Sequence, residues 1–126
     1  MAITTNAVTL TSAQWSRPVT RWAVNASTAD ASGCEQIKAA PGAGYELVVS
    51  RIVCCIGAAI TATIGSGEST GAVETPEWGP FGGAAGTYIL DCRDKPIQLT
   101  ANKSLTIDAS GAGTVCAYVE GYTRAS

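Results

Sequence analysis

Short alternating runs, closed by glycine, proline, asparagine or aspartate roughly every ten residues, constrain this chain more than any other feature. Period-two alternation buries one face of each run, and no segment longer than a few residues repeats its apolar positions at helical spacing. The clearest run is 45–56 (YELVVSRIVCCI), where Leu47, Val49, Arg51, Val53 and Cys55 alternate with Val48, Ser50, Ile52, Cys54 and Ile56. Both sets are mostly apolar, which predicts a strand that is central or lies at an interface. Strands are also predicted over 20–25 (TRWAVN), 34–39, 60–64 (ITATI), 87–91, 96–100 (PIQLT), 104–108 (SLTID) and 114–123 (TVCAYVEGYT). Residues 65–75 and 82–86 read as Gly-rich loops, and 77–81 (EWGPF) as a short, stiff aromatic segment between prolines. Eight or nine short strands at this spacing predict an all-β fold, an antiparallel sandwich or barrel. Residues 1–17 are rich in Thr, Ala and Asn and read as an extended N-terminal arm, leaving 18–126 as a single domain.

The composition narrows the partners. Charged residues make up 14% of the 126 positions, against about 25% in an ordinary soluble domain. The net charge is −2 and no Lys/Arg run exists, which argues against nucleic acid or an anionic membrane as partner. Thr, Ser, Ala and Gly dilute the apolar surface in place of charge. Such a surface repels copies of itself only weakly, and suits a protein covered by its own copies or by a larger assembly. No apolar stretch approaches the roughly 18 residues that span a bilayer. The opening MAITTNAVTL lacks the basic and apolar regions of a secretory signal.

The absence of histidine rules out Ser-His-Asp and Cys-His catalysis and every His-ligated metal site. The cysteines are Cys34, Cys54, Cys55, Cys92 and Cys116, an odd count with no CxxC pair. This argues against both a secreted disulfide framework and a zinc site. Cys54 and Cys55 are neighbours in a strand and therefore point to opposite faces. A single disulfide between cross-sheet partners stays open. The near-paired carboxylates Glu74/Glu77 and Asp91/Asp94 lie in loops whose spacing does not set a glycosidase geometry. Asp91, Arg93, Asp94 and Lys95 read as a local ion-pair cluster. No catalytic residue, cofactor or metal is expected. Contact residues are sought among the aromatics. Trp78 and Phe81 sit beside Gly-rich loops, and Trp15 lies in the arm before Arg17. Trp22 and Tyr88 lie in strands, where core packing competes with an interface role. Trp15, Arg17, Trp22, Trp78 and Phe81 are the candidate interface set.

The order of these runs resembles a known family. An irregular arm precedes YELVVSRIVCCI and the Thr-alternating ITATIGSG, and a Gly-rich loop and strand lead to KPIQLTANKSLTIDASGAGTVCAYVEGYT. Over about residues 45–124 this is similar to the small jelly-roll structural proteins of tailed bacteriophages, which occur as head decoration (cement) proteins, head fibres or tail appendages. The resemblance implies a jelly-roll sandwich, a homotrimer on the virion surface, assembled in the host cytoplasm, with an arm contacting the major capsid protein or a neighbouring copy. It carries no catalytic residues. The alternative is a carbohydrate-binding jelly roll for host recognition, with Trp78 and Phe81 stacking on a glycan beside Glu74 and Glu77. That alternative requires Trp78 to be exposed on a concave surface and free of protein contacts.

Overall fold

The structure is a computed structural model and describes residues 3–8, 20–29 and 33–126. Among these residues there is no helix, and ten strands form two antiparallel sheets. In chain order they are β1 (Thr4–Ala7), β2 (Thr20–Thr28), β3 (Gly33–Lys38), β4 (Tyr45–Ile56), β5 (Thr61–Ser69), β6 (Ala72–Gly82), β7 (Gly86–Asp91), β8 (Ile97–Gln98), β9 (Leu105–Ala109) and β10 (Val115–Ala125). The larger sheet runs β1-β2-β10-β4-β7, with β8 also paired to β4, and the smaller runs β3-β9-β5-β6. The protein is an all-β antiparallel sandwich, the class its alternation predicts. Its core is the space between the sheets, filled by Trp22, Val24, Leu47, Ile52, Val115 and Val119 from one side and by Ile37, Ile64, Leu105 and Ile107 from the other.

Two differences raise the strand count above eight or nine. Thr4–Ala7, within the expected arm, adds to the sheet edge with Thr4 opposite Ser27. The remainder of 1–17, apart from Ile3 and Val8, lies outside the described residues. The second difference is the stretch 65–82, read as a loop and an aromatic segment, which forms most of the β5–β6 hairpin. Its pairing hides behind small residues. A Cβ on Gly65 would lie 2.1 Å from the Thr75 carbonyl oxygen, so only glycine lets β6 approach. The buried Thr106 hydroxyl then donates to the carbonyls of Gly65 (3.3 Å) and Gly67 (2.7 Å).

β4 is central, between β10 and β7/β8, but its alternation is not continuous. The core takes Leu47 and Val49, then Ile52, Cys54 and Ile56. Leu47 and Val49 therefore do not share a face with Arg51, Val53 and Cys55, as strict alternation predicts. The reason is a β-bulge: Glu120 pairs with Arg51, whereas Gly121 pairs with Val49, leaving Ser50 as the extra residue. Ser50 Oγ donates to the Glu120 carbonyl at 3.0 Å. The bulge also ends the β4–β7 pairing, and β8 takes over at Val48 and Val49. Without this flip Glu46 would enter the core. Instead it faces Arg124 across the strand pair, 4% exposed, accepting from Arg124 Nε (2.8 Å) and Gln98 Nε2 (3.1 Å).

Candidate functional site

The aromatic candidates form one cluster, assembled by an irregularity in β6. Ala62 pairs with Phe81 and Ile64 with Trp78, so β6 holds one residue more than β5 over this stretch. Residues three apart normally point to opposite faces of a strand. The extra residue brings Trp78 and Phe81 onto one face, where their rings stack 4.0 Å apart at 13°. Tyr88 of β7 tilts against Phe81 at 5.8 Å, and its hydroxyl donates to the Ala84 carbonyl at 2.8 Å. All three rings are half-buried and pack on the core. They close the open side of the sandwich between β6 of one sheet and β7 of the other. The expected exposed loop around Trp78 is therefore a bulged edge strand. Its indole face is occupied by Phe81, contrary to what a free stacking platform requires.

The other candidates fall elsewhere. Trp22, included in the interface set, is 7% exposed and belongs to the core. Its Nε1 finds no acceptor among the described residues, and Lys38 Nζ lies 5.1 Å above its ring. Burial lowers the Lys38 ammonium below the ordinary lysine value. Trp15 and Arg17 lie outside the described residues.

One carboxylate of each near-pair is held in an ion pair. Asp91 accepts from Arg93 Nε (2.9 Å) and Nη2 (2.6 Å), and Glu74 from Lys103 Nζ (3.2 Å). Side-chain hydrogen bonding from Arg93 brings the Asp91 carboxyl down to about 2. Partial burial raises the Glu77 carboxyl above its ordinary value. Among the described residues no three His, Cys, Asp or Glu side chains gather as a metal site. A cavity of about 330 Å³ on the outer side of the larger sheet is lined by Arg21, Arg93, Glu120 and Tyr122. It mixes both charge signs.

The cysteines separate by face. Cys54 is fully buried, and burial, then the neighbouring Cys55 and Cys116, push its thiol up to about 12. Burial likewise raises Cys34 and Cys92, and the Cys92 thiol donates to the Val49 carbonyl at 3.2 Å. Cys55 and Cys116 are exposed and sit directly opposite each other on β4 and β10. Sequence reasoning gave no account of this pair, because nothing local brings position 55 to position 116. The described residues also include two large exposed apolar side chains, Tyr45 and Ile89. Comparison with protein-family models, curated proteins and solved structures finds no match for this chain.

Proposed function

We propose that this chain is a non-enzymatic virion structural protein, a decoration or cement subunit that binds and stabilises a tailed-phage head as a homotrimer. The observation that carries the reading is the strand order. Setting aside the edge strand β1 and the short β8, the sheets are β2-β10-β4-β7 and β3-β9-β5-β6. The chain passes between the sheets at nearly every connection and, with β1 set aside, pairs its last strand beside its first, an order that supports the jelly-roll reading. The resemblance of residues 45–124 to phage jelly-roll proteins leads to the same reading. The low charge supports it, as do the ion pairs that hold Asp91 to Arg93 and Glu74 to Lys103. The work of such a protein is contact area. A few hundred Å² of apolar contact at about 25 cal/mol per Å² is modest for one copy and large when many copies bind one shell. A glycan site built on Trp78 is the weaker reading, because that ring already stacks on Phe81.

Native mass spectrometry under reducing conditions tests the assembly. The expected species has three times the 12.8 kDa chain mass, about 38 kDa. Co-sedimentation with heads of the encoding phage tests the partner. The full chain is expected to pellet with heads, and a chain lacking residues 1–17 to remain in the supernatant while still folded. A monomer that leaves heads undecorated overturns the proposal.

A further inference from the structure

The outer face of the larger sheet carries a feature that the virion reading neither needs nor explains. Cys55 and Cys116 are exposed and directly opposed on the two central strands β4 and β10. Opposed residues of an antiparallel pair share a face. The hydrogen-bond phase at this pair follows from its neighbours. Gly57 N–H donates to the Thr114 carbonyl at 2.9 Å, so 57 and 114 are a hydrogen-bonded pair, and two residues along the strands so are Cys55 and Cys116. On the other side Cys92 N–H donates to the Ser50 carbonyl, which gives the same phase along β4. Hydrogen-bonded pairs hold their Cα atoms about 5.5 Å apart, within the common range for disulfides. Their Cβ atoms stand at about 4.5–5.5 Å, at or beyond the upper end of the 3.5–4.5 Å a relaxed disulfide uses.

We propose that Cys55 and Cys116 are a redox-active cross-strand dithiol that closes reversibly to a disulfide by exchange with a low-molecular-weight disulfide such as oxidised glutathione. One cysteine thiolate attacks a sulfur of the glutathione disulfide, forming a mixed disulfide and releasing one glutathione. The second cysteine thiolate attacks the protein sulfur of that mixed disulfide and releases the other glutathione. The protein loses two protons and two electrons, and the glutathione disulfide gains them. The wide Cβ spacing strains the closed bridge, and its exposure leaves it open to attack. Both place it among labile disulfides rather than permanent staples. Among the described residues, the polar contact at these sulfurs is that between Cys55 Sγ and Thr87 Oγ1, at 3.5 Å. Cys54, next in the chain, faces the core and pairs with Ala117, so it takes no part. The proposal stands independently of the virion reading.

The test uses the full-length reduced protein, incubated natively with oxidised glutathione and followed by intact mass, thiol titration and peptide mapping. The expected product is two hydrogens lighter, has lost two titratable thiols, yields a linked Cys55–Cys116 peptide and reverts with dithiothreitol. Cys55→Ser and Cys116→Ser, near-isosteric changes at exposed positions, should each stop at one glutathione adduct on the remaining cysteine of the pair. Cys34→Ser and Cys92→Ser should close the bridge as the parent does. A parent protein that ends unchanged or carrying only glutathione adducts overturns the proposal. So does a bridge that persists in Cys55→Ser.

Discussion

Two of the strand irregularities among the described residues differ in place, one at the centre of the molecule and one at its edge. The bulge at Ser50 in β4 lies between two long strands and is fixed from both sides. Ser50 Oγ holds the Glu120 carbonyl, while Gly121 approaches so closely that a Cβ there would lie 2.0 Å from the Val48 carbonyl oxygen. The irregularity in β6 lies on an outer strand, where Gly79 takes φ +121 and a Cβ would lie 2.6 Å from the Ala62 carbonyl oxygen. Both insert a residue and both change the phase of the side chains that follow. The central one moves Glu46 out of the core, and the edge one brings Trp78 and Phe81 together. An interior bulge is locked because neighbours on both sides must accept it. An edge bulge has one free side toward which the strand can relax.

That difference predicts unequal costs for the same small change. Gly121→Ala forces backbone apart between β4 and β10 and should lose roughly 3 kcal/mol or more, read as a large fall in urea midpoint. Gly79→Ala meets a lesser overlap, 2.6 Å against 2.0 Å, and an unfavourable φ, on an edge strand, and should lose about 2 kcal/mol. Equal losses would break the distinction between centre and edge. Arg124→Met probes what the central bulge achieves. It leaves the Glu46 carboxylate nearly buried beside Gln98 alone and should cost about 2 kcal/mol, held down because Arg124 is itself 32% exposed. Adding Glu46→Gln should recover part of that loss in the same denaturation assay.

Trp78→Ala probes what the edge bulge achieves. Loss of the stacked ring should cost about 1.5 kcal/mol in thermal or chemical unfolding. It should also lower the protection of β6 amides from hydrogen exchange more than that of β4 amides. Uniform loosening across both sheets would mean that the aromatic cluster belongs to the central core. The smallest effect is expected where β7 ends, opposite Arg51. Asp91 is held at about 2, below its ordinary 3.8, first by side-chain hydrogen bonds from Arg93. A depressed carboxyl contributes its stability fully above the unfolded value and loses it as pH falls through the folded one. The contribution is therefore complete above about pH 4 and disappears toward pH 2, and it is slight because both partners are exposed. A carboxyl NMR titration should place the midpoint near 2 in the parent and nearer 3.8 in Arg93→Ala.

The all-β class and the bounds of β4 are legible in the sequence, since alternation predicts a strand over 45–56 and one runs from Tyr45 to Ile56. Alternation of β-branched and apolar residues is a local signal, and it is strong where one face of a strand buries large side chains. It was also enough to place Cys54 and Cys55 on opposite faces. The same signal was silent over 65–82. There the pairing depends on what glycine lacks rather than on what an apolar side chain supplies, so the end of β5 and all of β6 read as loop and aromatic segment, while 60–64 reads as the strand that opens β5. The tertiary structure sets the phase within β4, because one extra residue flips every later side chain, and the partner that accommodates it, Gly121, is 71 positions from Ser50 by their numbers. It alone set Trp78 on Phe81 and placed Trp22 in the core. It also brought Cys55 opposite Cys116. Each of these is a meeting of residues fixed by register between strands, and register is a property of the closed sheet, not of any one run of sequence.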